Sequence, residues 1–364
     1  MSTELERRLI ERIERDGPIT FRDFMQAALY DDALGYYNTV RAKIGSSGDY
    51  YTSSNVHPAF GAVLARTFAE LWAGSIEPLT IVEAGAGTGR LACDVLSAMR
   101  DECAVVFEQL SYVIIETSAE MRQLQRNKLP GFSDRVRWLE LEDLERSPIT
   151  GIVFSNEFVD ALPVHRVRRK RGRIEELYVA KAQGEQHLAL AWDEPSTGAI
   201  GDHIERFDAS LREDQVIEIN LDAMEWLARI ARAIHRGYLV TIDYGDLAGH
   251  LWTPDRKAGT LRSFYRHRLI DSPLERVGEQ DITASVNFTA LIEHGRDLGF
   301  ELVSYERQTA FLKRMGLIER IAAQHGSKDT LDDLKERLAV KNLFIPGGIS
   351  DSFHVLIQRK PGNE

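Results

Sequence analysis

The run Thr80-Ile81-Val82-Glu83-Ala84-Gly85-Ala86-Gly87-Thr88-Gly89-Arg90-Leu91 constrains this chain more than any other stretch. Its apolar residues suit a parallel strand covered on both faces, and the spacing from Leu91 to Met99 is helical. Between them, three alternate glycines let a ligand approach bare backbone at a helix N-terminus. The expected occupant is a nucleotide-type cofactor, although a plain strand-to-helix turn carries such glycines as well.

Spacing and charge narrow the choice of cofactor. A dinucleotide turn needs G-x-G-x-x-G for the pyrophosphate, whereas Gly85, Gly87 and Gly89 give G-x-G-x-G and Arg90 stands where the third glycine would fall. Glu83 sits just ahead of the turn, unfavourable beside a pyrophosphate and suitable beside an ammonium group. That combination favours S-adenosylmethionine.

Composition sets the outer limits. With 364 residues, 43% of them hydrophobic, the chain is long enough for a well-buried core. No apolar run reaches the length of a spanning helix, so no membrane insertion is expected. The first residues show neither a signal-peptide pattern nor the Arg-rich, acid-poor character of a transit peptide. Cys93 and Cys103 form no disulfide framework, and the cytoplasm is the expected compartment. His57, His165, His235, His250 and His267 are scattered without metal-ligand spacing, so no metal is expected.

A net charge of −11 counts against nucleic acid as a partner. The basic stretch from His165 to Arg173 reads first as an exposed β-hairpin turning at Arg171-Gly172, with nucleic-acid contact as the minority alternative.

Periodicity divides the chain into residues 1–78, an N-terminal helical cap with a lid loop, and residues 79–360, an α/β domain. The second part predicts a doubly wound, mostly parallel Rossmann-like sheet, with strands near 79–84, 112–116, 135–139, 151–155, 237–243, 300–305 and 352–359. Insertions fall near 164–220 and 246–285.

Ligands in such folds sit beyond the carboxyl ends of the strands, and here those ends are acidic. Glu116 after the second strand suits the two hydroxyls of a ribose; a helix-dipole role is its alternative. Asp143 or a neighbouring acid after the third suits an adenine amine. The fourth strand runs into Asn156-Glu157-Phe158-Val159-Asp160, an amide and two carboxylates at the reaction end, and the fifth ends in Asp243-Tyr244-Gly245.

Taken in order, Gly48-Asp49-Tyr50-Tyr51-Thr52-Ser53, Glu83 to Gly89, Asn156 to His165, Asp243-Tyr244-Gly245 and Gly278-Glu279-Gln280-Asp281-Ile282-Thr283-Ala284 resemble the MidA family of class I methyltransferases over nearly the whole chain. The resemblance implies S-adenosyl-L-methionine as cofactor and a protein arginine as substrate. It implies that the Asp49 loop, with Thr52 and Ser53, folds over the cofactor, while Glu83, Gly85, Gly87, Glu116 and Asn156 line its pocket; Gly89 of the glycine run and Asp143 after the third strand are expected there from their positions. The chain departs from the family pattern at Ser54-Asn55, where Pro-Glu is usual, and at Asn287, where Asp is usual.

Methyl transfer from a sulfonium is an in-line displacement, so the protein has to align nucleophile and methyl group and exclude water. A guanidinium acceptor stays charged and needs carboxylates to orient it. Glu157 and Asp160 are the expected catalytic residues, with Asp243 third. Competing readings are an assembly protein that keeps the fold but acts by binding a partner, a nicotinamide-dependent oxidoreductase, and a methyltransferase of nucleic acid or a small molecule.

Overall fold

The computed structural model describes residues 2–39, 58–207, 211–266, 268–324 and 352–362. The chain divides into two compact units, one of Met1–Tyr50, Asp160–Trp226 and Asp246–Leu291, the other of Tyr51–Val159, Leu227–Gly245 and Ile292–Glu364.

The second unit is built on seven strands: β1 Thr80–Ala84, β2 Ser111–Ile115, β3 Val136–Leu139, β4 Ile149–Asn156, β5 Ile234–Asp246, β6 Glu301–Arg307 and β7 Phe353–Lys360. They run in the order β3-β2-β1-β4-β5-β7-β6. The pairs from β3 to β5 are parallel, and β7 is antiparallel to both β5 and β6. This is the doubly wound, mostly parallel sheet expected from the alternation of apolar strands and helices, with the chain reversing its direction of travel between β1 and β4. The carboxyl ends of those two strands flank the reversal, where such sheets take up ligands.

The core explains why these strands carry near-continuous apolar runs. Ile81, Tyr112, Ile114, Ile152, Phe154, Val240 and Ile242 belong to one buried cluster with Phe60, Leu64 and Phe68 of the helix Pro58–Leu71. Phe68 and Phe154 meet at 5.0 Å between ring centroids, a contact worth about 1 kcal/mol beyond area burial. Nine residues of that helix are buried, from Ala59 to Phe68. A helix so apolar has to be covered on more than one side. Helix α1, Arg90–Glu102, follows β1, and helix α2, Ala119–Lys128, follows β2.

The first unit holds the expected stripes: Leu5, Leu9, Ile10 and Ile13 are buried on the helix Glu4–Asp16, and Phe21, Phe24, Met25 and Leu29 on the helix Phe21–Tyr30. Thr3 and Thr20 cap them through side-chain oxygens that accept from Glu6 N and Asp23 N. The stretch His165–Lys170 and Arg173–Lys181 is a β-hairpin turning at Arg171 and Gly172, both with positive φ. Sequence periodicity did not reveal that Ile19–Thr20 is a two-residue strand pairing with Tyr178 and Val179 of that hairpin. A second small sheet, Arg268–Ile270, Arg262–Tyr265 and Asp281–Thr283, occupies the 246–285 insertion. Among the described residues no helix is long and apolar enough to cross a membrane.

Candidate active site

Beyond β1 the backbone takes positive φ at Gly85 (69°), Gly87 (51°) and Gly89 (77°). A Cβ at Gly85 would stand 2.6 Å from Phe158 Cδ2, so this position combines a left-handed backbone with no room for a side chain. Gly89 is the N-cap of α1 and caps it with no side-chain hydrogen bond. Glu83, the last polar residue of β1, is 2% exposed and accepts a 2.6 Å hydrogen bond from Tyr112 Oη. Burial raises its pKa to about 7, with the tyrosine bond acting in the opposite direction.

At the end of β2, Glu116 Oε1 accepts from Ser118 N at 3.0 Å and its Oε2 from Gln125 Nε2 at 3.0 Å. Burial shifts this carboxyl upward from its ordinary value, against those hydrogen bonds. Gln125 was not foreseen, for it sits in the polar helix α2, AEMRQLQRNK, and is nonetheless fully buried. After β3, Asp143 serves the helix Leu141–Arg146: its Oδ2 accepts from Glu140 N at 3.1 Å, half of a capping box. The neighbouring acids Glu142 and Glu145 are paired with Arg229.

The ends of β4 and β5 are joined residue by residue. Asn156 is 9% exposed, its Nδ2 donates to Glu157 Oε1 at 3.3 Å, and its Oδ1 is buried with no hydrogen-bond partner. Glu157 adopts φ 51°, a conformation that costs a non-glycine residue about 1 kcal/mol or more. Its N–H donates to Ile242 O at 2.9 Å. Asp243 is fully buried and accepts three backbone N–H groups: Phe158 at 3.2 Å and Val159 at 2.9 Å on Oδ2, and Tyr244 at 2.9 Å on Oδ1. The loop carrying Glu157 is thereby tied to β5.

Asp160 opens the next segment of the other unit, where it is 5% exposed and its carbonyl accepts from Ala284 N at 3.0 Å. In that unit the Gly278 to Ala284 motif is structural: Gln280 Nε2 donates to the carbonyls of Ser272, Pro273 and Glu275, and Asp281 accepts from Tyr37 Oη at 2.8 Å. Asp49, Thr52 and Ser53, with Tyr50, Tyr51 and His267, lie outside the described residues. Among the described residues no three His, Cys, Asp or Glu side chains group as a metal site would require.

The arrangement suits S-adenosyl-L-methionine on its own terms. It offers a turn of three positive-φ glycines bare of side chains, a partly satisfied carboxylate at Glu116 with acceptor capacity left, and a buried amide oxygen on Asn156 lacking a donor.

Comparison with known proteins points the same way. The family model described as "Putative S-adenosyl-L-methionine-dependent methyltransferase" matches residues 63–305. A Danio rerio protein named protein arginine methyltransferase NDUFAF7, mitochondrial, is 28% identical over 345 residues, covering 88% of this chain and 78% of its own. The Homo sapiens protein of that name is 27% identical, covering 88% of this chain and 75% of its own. In the crystal structure of a COG1565 superfamily member from Burkholderia thailandensis bound to S-adenosyl-homocysteine, the TM-score is 0.89 at 29% identity, covering 99% of this chain and 92% of that one. With two thirds of its length in the family match and this fold around the glycine turn, the chain belongs to the S-adenosyl-L-methionine-dependent methyltransferases.

Proposed function

We propose that the methyl acceptor is the side chain of a protein arginine. The observation that carries this reading is Glu157, a carboxylate kept at φ 51° beside buried Asn156 at the end of β4. The acceptor class is also the one in the names of the curated relatives.

In this proposal Glu83, Gly85, Gly87, Gly89, Glu116 and Asn156 hold the donor. The glycines give backbone access, Glu116 accepts ribose hydroxyls, and Asn156 uses its unpartnered Oδ1. Asp49, Thr52 and Ser53 belong to the same proposal through the resemblance of their motif, and Asp143 through its place after β3. When bound, the donor supplies an electrophilic methyl carbon on a sulfonium. Glu157 orients the guanidinium by charge-assisted hydrogen bonds and directs one nitrogen toward that carbon. Asp160, three residues on in the same motif, is proposed for the same work. Asp243 is proposed as a positioning residue, because its oxygens are engaged by three backbone N–H groups.

Nucleic acid is the less favoured acceptor because four basic side chains of the hairpin are already engaged. Arg166 pairs with Glu218, Arg168 with Glu175 and Lys170 with Asp214, while Arg169 donates to Leu211 O. We also propose a reducing, cytoplasmic setting, in keeping with the free thiols Cys93 and Cys103; the Danio rerio and Homo sapiens relatives are named as mitochondrial.

The test is labelled methyl transfer from S-adenosylmethionine into a host lysate, followed by hydrolysis of the labelled protein to amino acids. Methylarginine is the expected product. Label in RNA, a metabolite or another amino acid would overturn the acceptor, and no transfer despite donor binding would favour an assembly protein.

A further inference from the structure

Three consecutive strand ends of the sheet meet on a single side chain, that of Gln125 in α2. Its Nε2 donates to Gly87 O of the glycine turn at 2.8 Å and to Glu116 Oε2 after β2 at 3.0 Å. Its Oε1 accepts from Trp138 Nε1 of β3 at 2.8 Å. An indole N–H only donates, so Trp138 must meet the amide oxygen, and the amide nitrogen is left facing the carbonyl and the carboxylate. The side chain is fully buried, and both its N–H groups have an acceptor. The glycine turn is pressed against it as well: a Cβ at Gly89 would stand 3.2 Å from Gln125 Cα and Cγ.

The amide therefore fixes one oxygen of Glu116 while Ser118 N fixes the other. The Thr117 backbone also donates to this carboxylate, and of its about four acceptor sites some capacity remains for a hydroxyl group in a set direction. Arg122 Nε donates to Glu116 O at 2.6 Å and anchors the same residue from its backbone.

We infer that Gln125 is a positioning residue for the methyl donor: it sets the Glu116 carboxylate and the Gly87 carbonyl in register, so that donor affinity depends on it and the chemical step does not. This rests on Glu116 holding the ribose.

Gln125→Glu keeps shape and the Trp138 bond but turns a donor into a second carboxylate against Glu116 and Gly87 O. With S-adenosyl-homocysteine as the calorimetric probe, its Kd at pH 8 should rise roughly tenfold or more over wild type. The ratio to wild type should narrow as pH falls toward 5, where the new carboxyl takes up a proton and donates again, a recovery that damaged packing would not produce. At saturating donor, kcat should stay within about twofold of wild type, the split expected when only binding is affected. Trp138→Phe, which removes the group that fixes the amide, should weaken binding in the same direction by a smaller factor, and it serves if Gln125→Glu fails to fold.

Wild-type affinity in Gln125→Glu at pH 8, or a fall in kcat with Kd unchanged, would overturn the inference. Glu116→Gln separates the two layers of the argument. If it leaves the Kd unchanged, the ribose assignment fails and this inference with it; if it weakens binding while Gln125→Glu does not, only the role of Gln125 fails.

Discussion

Two strand ends of one sheet, those of β1 and β4, solve the same backbone problem with opposite residue choices. Beyond β1 the left-handed positions are Gly85, Gly87 and Gly89; beyond β4 the left-handed position is Glu157, at the same φ of 51° as Gly87. Glycine adopts that conformation with no Cβ to clash, whereas glutamate is strained there. The β4 turn is held by bonds that a relaxed turn would not need: Glu157 N to Ile242 O, and Phe158 N and Val159 N to the buried Asp243. The difference teaches that one end leaves its backbone bare of side chains, while the other keeps a side chain in place despite the strain.

The comparison breaks most visibly at Gly85. Gly85→Ala adds a Cβ 2.6 Å from Phe158 on a backbone of φ 69°, and donor affinity should fall by roughly a hundredfold. Calorimetry with S-adenosyl-homocysteine measures it, and unchanged affinity would show that the turn does not contact the donor. Asp243→Ala comes next. It leaves three backbone N–H groups without their acceptor, so chemical denaturation should register a loss of about 2–4 kcal/mol. A loss below about 1 kcal/mol would deny Asp243 its positioning role.

Replacing the strained residue sharpens the contrast further. Glu157→Gly should leave stability unchanged or raise it by up to about 1 kcal/mol, while methyl transfer is lost. A clear destabilisation would show that the glutamate is there for the fold. The smallest effect concerns pH. Burial holds Glu83 near a pKa of about 7. An ammonium-bearing ligand favours its ionised form, so donor affinity should rise several-fold from pH 6 to 8 and flatten in Glu83→Gln. For the unliganded fold the sign is reversed. The native state holds this proton longer than the unfolded chain, so Glu83's share of stability is complete below about 4.5 and is lost as pH rises toward about 7.

The sheet was readable because each strand is a contiguous apolar run closed by a turn. The expected strands near 79–84, 112–116, 135–139 and 151–155 became Thr80–Ala84, Ser111–Ile115, Val136–Leu139 and Ile149–Asn156. The acids at strand ends were readable as residues, but their surroundings were not. Asp143 and Asp243 look alike in sequence, yet one caps a helix and the other is fully buried on three N–H groups. Gln125 escaped because a single amide in a polar helix leaves no periodic signal, and its partners Gly87, Glu116 and Trp138 lie 38, 9 and 13 residues away. Ile19–Thr20 escaped for the same reason: a two-residue strand exists only through its distant partner.

The most direct test of the division between the two strand ends is the rate of methyl transfer by Glu157→Gln at saturating S-adenosylmethionine, with affinity for S-adenosyl-homocysteine measured on the same sample. Transfer should fall by roughly a hundredfold or more, with affinity within about threefold of wild type. Transfer at the wild-type rate, or a loss of affinity large enough to explain the lost rate, would contradict that division.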